Sequence, residues 1–147
     1  MYKPDDDARY QAADDELRSV QDLNRRIKAK QVQIDEVETM LTHATAPPDA
    51  DKVQSGESDN SGAIDRLIKL REEANELIDA YVDKQYEVAG KIDLVTDPLL
   101  AELLMYRYVA AMSWKKTAKK LEYSVDNIYR LNRKAIEAYA DILKVDS

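Results

Sequence analysis

Between Ser113 and Ile136 the sequence SWKKTAKKLEYSVDNIYRLNRKAI holds seven cations, Lys115, Lys116, Lys119, Lys120, Arg130, Arg133 and Lys134, against two acids, Glu122 and Asp126. The chemistry these residue types can do is recognition of a nucleic acid. A lysine ammonium is a point charge suited to phosphate oxygens, so Lys115, Lys116, Lys119, Lys120 and Lys134 suit a DNA backbone. The forked guanidinium of Arg130 matches a guanine edge, the Asn127 amide an adenine edge, and the Asp126 carboxylate a cytosine amino group. The plainer reading of the lysine run is a solvated helix face, and it is the surrounding pattern that favours DNA. Reactive chemistry has no support. The chain has no cysteine and one histidine, His43. No nucleophile stands with a base, no ligand cluster has metal spacing, and no glycine-rich loop could cradle a phosphate. The paired acids Asp14-Asp15 and Glu72-Glu73 fall on solvent faces of long helices. His43 lies at a helix end, where it complements the dipole. The expectation is therefore no enzyme, no cofactor and no metal.

Those residues need two short helices to position them. Ser113 precedes Trp114-Lys115-Lys116 and Ser124 precedes Val125-Asp126-Asn127, each a serine able to take a free first-turn amide. Ala118 is small where a second helix would cross, and Leu121, Tyr123, Ile128 and Leu131 supply apolar contacts. This is the pattern of a helix-turn-helix. With Ile128, Leu131 and Ala135 turned inward, Asp126, Asn127, Tyr129, Arg130 and Arg133 point away from the core. Trp114 reads as a core anchor rather than a base-stacking residue. A third wall is expected from Pro98 to Ala111, where Asp97 caps and Pro98 takes the first helical position. Its Leu99, Leu100, Leu103, Leu104, Tyr106 and Val109 face Leu121, Ile128, Leu131, Ala135 and Tyr139. The last helix runs from Val125 to about Leu143.

The rest of the 147 residues is also helical in character: three glycines, four prolines, no phenylalanine and 35% charge. From about Asp5 to Thr45 a seam of Val20, Leu23, Ile27, Ile34, Val37 and Leu41 recurs every three and four residues, with Lys30 the polar intruder. Pro47-Pro48 ends it, and residues 46–62 read as a flexible loop. A second helix from about Ala63 to Leu94 carries Ile64, Leu67, Ala74, Ile78, Tyr81 and Val88, widened by Leu70 and Leu77. It can fold back on the first as a hairpin, pair with another chain as a homodimer, or do both. The expected fold is all-α: a long antiparallel helical hairpin over 1–95, then a three-helix helix-turn-helix domain over 96–147. No apolar run reaches membrane length, and the acidic start MYKPDDDARY is unlike a signal peptide, so a cytoplasmic setting without membrane contact is expected. A net charge of −7 argues against indiscriminate coating of nucleic acid.

An apolar helix ending in MYRYVAAMSW, the small Ala118, the LEYS turn and IYRLNRKAI together resemble region 4 of bacterial sigma factors, the helix-turn-helix that reads a promoter element. The resemblance covers about a quarter of the chain. Joined to the acidic hairpin, the whole is similar to a family of short phage and prophage proteins. The resemblance implies a DNA-binding transcriptional regulator working in a bacterial host cell. It places Val125, Asp126, Tyr129 and Arg130 on the DNA-facing side, with the Ser124 cap near a phosphate. It also implies double-stranded DNA as a partner, with RNA polymerase or a phage protein as others. The alternatives are a packaging protein like a terminase small subunit, or a polymerase- or sigma-interacting module that does not bind DNA. Two departures stand out. Lys115 and Lys116 replace acids common in that family, and Thr117 replaces a branched aliphatic, leaving its hydroxyl to loosen the core or bond back to the helix.

Overall fold

The computed structural model describes residues 4–45 and 60–146. They are all-helical, with no strand among them: α1 (Pro4–Thr45), α2 (Ser61–Ile92), α3 (Pro98–Leu104), a π-helical turn (Met105–Val109), α4 (Trp114–Leu121) and α5 (Val125–Asp146). Of the expected loop at 46–62, residues 46–59 lie outside the described ones, while Ser61 and Gly62 already belong to α2. The chain forms two compact units, Leu23–Ala80, and Met1–Asp22 with Tyr81–Ser147. This division differs from the boundary expected at 95/96, because α1 and α2 each contribute to both units.

In the Leu23–Ala80 unit residues of the two long helices pack into one cluster. Ile34 and Val37 of α1 are buried with Leu70 and Ala74 of α2, and Leu41, Ala63 and Leu67 pack against them. Lys30 Nζ lies 3.8 Å from Glu73 Oε1, and Arg71 pairs with Glu38. The polar intruder on the α1 seam is thus half-buried and matched by a carboxylate. Two residues expected on the buried seam of α2 are not there: Ile64 is 46% and Ile78 42% exposed. The line that meets α1 here is Leu67, Leu70 and Ala74. At about 100° per residue, Ile64 and Ile78 fall to one side of it.

The other unit has a larger core. Ala13, Leu17 and Val20 of α1, Val88 and Ile92 of α2, and Val95 are buried with Leu103, Leu104, Tyr108, Ala118, Ile128, Ala135, Ile136, Tyr139 and Ala140. The three C-terminal helices therefore do not close a core alone. Asp97 caps α3 as expected, its Oδ1 accepting from the Leu99 amide at 2.9 Å, with Pro98 in the first turn. The helix expected to run to Ala111 instead stops being α at Leu104. Over Met105–Val109 it widens, and the Ala110 amide reaches back to the Met105 carbonyl at 2.9 Å. Two side chains secure this turn: Gln21 Nε2 donates to the Arg107 carbonyl at 2.8 Å, and Gln85 Nε2 donates to the Val109 carbonyl at 3.1 Å. Ala111 then takes a left-handed conformation, φ 57°.

Candidate nucleic-acid interface

Both expected serine caps form. Ser113 Oγ accepts from the Lys116 amide at 3.1 Å and Ser124 Oγ from the Asn127 amide at 3.2 Å, fixing the first residues of α4 and α5. Between them α4 ends in two backbone bonds, Glu122 N–H to the Lys119 carbonyl (3.2 Å) and Tyr123 N–H to the Ala118 carbonyl (3.0 Å). Glu122 carries the left-handed conformation that this Schellman ending requires, φ 62°. The position usually favours glycine, so a side chain here costs something locally. The three-residue turn brings buried Ala118 of α4 into one cluster with Ile128 of α5, and Leu121 and Leu131 pack on it.

Thr117 is fully buried, and its hydroxyl has no hydrogen-bond partner. The bond back to the helix that was one of two expectations does not form.

This frame holds Lys115, Lys116, Lys119 and Lys120 on the exposed surface of α4, and Ser124, Asp126, Asn127, Tyr129, Arg130, Arg133 and Lys134 on that of α5. Asp126, Asn127, Arg130 and Lys134 share about a third of the helix circumference. None of Lys115, Lys116, Lys119, Lys120, Arg130 or Lys134 makes an ion pair among the described residues, whereas Arg9, Arg18, Lys30, Arg71, Lys84, Lys91 and Arg133 do. Met112, Lys116, Lys119, Lys120 and Glu122 line one shallow depression beside the turn.

Two expected members are placed differently. Val125 is half-buried against the core, so its side chain helps seat α5. Arg133 is exposed but turned toward α1. Its guanidinium lies 5.6 Å from the Tyr10 ring centre, and its Nε is 3.7 Å from Glu137 Oε1. Asp6, Asp7 and Asp141 border the same recess. Burial and Asp14 together push the Tyr10 phenol up, with Arg133 opposing.

Tyr129 is half-exposed and its ring meets Trp114 edge-on, 5.1 Å between centres at 71°. Trp114 is half-buried, as an anchor should be, and the Arg107 guanidinium lies 4.2 Å from its ring centre. Arg107 Nη1 also donates to the Met112 carbonyl at 2.9 Å, tying the π-helical turn to the connection that leads into α4. Sequence reasoning missed Arg107, Gln21 and Gln85, which shape the site from outside it. The acid Asp14, expected on a solvent face, is half-buried and accepts from Arg18 Nε at 2.9 Å. Behind the interface, buried Asn132 donates from Nδ2 to the Tyr108 hydroxyl at 2.9 Å. Glu16 holds Lys91 Nζ at 3.0 Å and accepts the Tyr139 hydroxyl. Among the described residues no group of three or more His, Cys, Asp or Glu could hold a metal ion, and no helix is long and apolar enough to cross a membrane.

Comparison of the chain with protein-family models, with curated protein sequences and with solved structures gives no match.

Proposed function

We propose that α4 and α5 are a helix-turn-helix that seats the start of α5 in the major groove of double-stranded DNA, and that the chain is a sequence-specific regulator. The observation that carries this reading is the set of six exposed cations that make no ion pair among the described residues, Lys115, Lys116, Lys119, Lys120, Arg130 and Lys134, around a turn closed by two serine caps. Charge left unneutralised by the fold is available to phosphates. In this reading Arg130 and Asn127 read bases, Asp126 selects against wrong ones, and Tyr129 is held at the groove edge by Trp114. The lysines and the Ser124 cap hold the backbone. Arg133 takes a smaller part, since Glu137 and Tyr10 engage it. The two long helices form a hairpin that supports the module and offers a surface to a partner. The resemblance to sigma region 4 and to phage proteins extends the reading to promoter DNA, a bacterial host cytoplasm, and no enzymatic activity.

Selection of bound duplexes from random DNA tests it. One sequence should be enriched, and Arg130→Ala should lower affinity for that sequence by about 1–3 kcal/mol while leaving random DNA nearly unaffected. Lys119→Ala should instead weaken both alike. With four or five phosphate contacts, the slope of log affinity against log salt should be about −4. No enriched sequence, together with an inert Arg130→Ala, overturns the proposal. A ring of many subunits in light scattering would favour packaging instead.

A further inference from the structure

In the Leu23–Ala80 unit, one side of α2 carries apolar side chains that nothing described covers. Ile64, Ile68 and Ile78 are 46%, 51% and 42% exposed. At about 100° per residue the three fall within less than a quarter of the helix circumference. Their stripe lies about a quarter turn from the Leu67–Leu70–Ala74 line that meets α1. Arg71 and Asn75, both exposed, stand on the stripe between Ile68 and Ile78. One asparagine among apolar positions is compatible with a helix seam, where it fixes register rather than adding affinity. Isoleucines exposed singly need no explanation, but three on one side of one helix form a contact surface.

The charges beside the stripe identify what it fits. Asp65, Glu72 and Asp79 recur every seven residues along its outer edge, and each is exposed and makes no ion pair among the described residues. Arg71, on the side of the stripe nearer α1, is already paired with Glu38. A helix lying on the isoleucines would thus meet a rail of three carboxylates. A second copy laid antiparallel on the stripe would bring the two acidic rails together, so a helix with basic flanks is the better charge match.

We propose that this face of α2 docks an amphipathic helix of a different protein, one whose apolar seam is flanked by lysine or arginine. The isoleucines supply the contact area, and the acidic rail supplies orientation and selection against acidic helices. The proposal does not depend on DNA binding by α4 and α5.

Two synthetic peptides of three heptads test it, both with leucine at the seam, one flanked by lysines and the other by glutamates. Binding to the full chain is followed by fluorescence anisotropy of the labelled peptide. The lysine peptide should bind roughly tenfold tighter than the glutamate peptide, the combined effect of several weak exposed ion pairs, and should lose that advantage at high salt. Ile68→Glu with Ile78→Glu should abolish binding while the circular dichroism of the chain is unchanged. Reversing the rail (Asp65→Lys, Glu72→Lys, Asp79→Lys) should switch the preference to the glutamate peptide. Equal binding of both peptides, no binding of either, or binding that survives the isoleucine changes overturns the proposal. So does a dimer of the free chain that Ile68→Glu and Ile78→Glu dissociate, because then a second copy covers the stripe.

Discussion

The two units are built from the same pair of long helices by different means. In the Leu23–Ala80 unit, four buried residues, Ile34, Val37, Leu70 and Ala74, make the core, and ion pairs with half-exposed partners flank it. In the other unit fifteen residues are buried together, among them Leu17, Ile92, Leu103, Leu104, Ile128 and Tyr139 at full burial. Polar groups inside that unit are mostly matched by specific partners: Asn132 by Tyr108, Glu16 by Lys91 and Tyr139, and two carbonyls of the π-helical turn by Gln21 and Gln85. Where area is scarce, two helices can hold register with a narrow seam and exposed charges. Where the three C-terminal helices must present side chains at fixed positions, the chain uses layered burial and hydrogen bonds, and it draws on α1 and α2 for both.

The largest test of this contrast compares the same substitution in the two units. Leu17→Ala removes a fully buried side chain from between α1 and the C-terminal helices and should cost about 4 kcal/mol. Leu70, 7% exposed, lies in a two-helix seam that can collapse, so Leu70→Ala should cost about 2 kcal/mol. Urea denaturation gives the two values, and equal costs would erase the distinction. Leu17→Ala should also weaken the proposed DNA binding, since the C-terminal helices rely on α1.

Next in size is the buried amide–phenol bond. Tyr108→Phe leaves Asn132 Nδ2 without its acceptor, beside an Oδ1 that already has no partner, and should cost about 2 kcal/mol. Changing both, Tyr108→Phe with Asn132→Leu, should cost less than the sum of the single changes, because no orphaned polar group remains. Burial, the first of its causes, pushes the Tyr108 phenol up, with Asp14 adding and the Asn132 bond opposing. The unfolded chain therefore releases that proton first. Stability should fall as pH rises through the ordinary phenol range near about 10, and less steeply in Tyr108→Phe.

Thr117→Val probes the same core from the other direction. The hydroxyl is fully buried with no partner, so the isosteric methyl should stabilise by about 1 kcal/mol in thermal unfolding. It should leave the proposed DNA affinity unchanged, because Thr117 is buried while Lys115 and Lys116 are exposed. A loss of stability would mean that the hydroxyl is satisfied in solution.

Much of this was legible in the residues. Ser113, Ser124 and Asp97 cap where their positions imply, since a cap depends on a few neighbouring atoms. The inward set Ile128, Ala135 and Tyr139 follows from helical spacing alone. What failed depended on partners distant in sequence. Ile64 and Ile78 fit the period of a buried seam as well as Leu70 does, and only the position of α1 decides between them. Ala13 and Leu17 sit among acids in an exposed-looking stretch, so their full burial could not be read without the C-terminal helices. The π-helical turn has no local signature in MYRYV. It is held by Gln21 and Gln85, two ordinary polar residues far away in the chain. Arg133 satisfied the outward spacing expected of a DNA contact, yet the Tyr10 ring and Glu137 claim it.

The smallest effect sharpens the contrast from the side of charge. Arg71 and Glu38 bridge α1 and α2, with 56% and 42% of their side chains exposed. Water competes for both groups, and each long side chain gives up rotamer freedom to meet the other. Arg71→Ala should therefore cost no more than about 0.5 kcal/mol at moderate salt, and still less at 0.5 M salt or so, where screening removes most of the attraction. The matching measurement in the other unit is Lys91→Met, which takes a cation from the half-buried Glu16 while Tyr139 still donates to it. Its cost should be larger and barely salt-dependent, because that carboxylate has less access to water. If the two substitutions cost the same and respond alike to salt, the polar groups of the larger unit are no more structural than the surface pairs of the thinner one. The difference between the units would then rest on apolar burial alone.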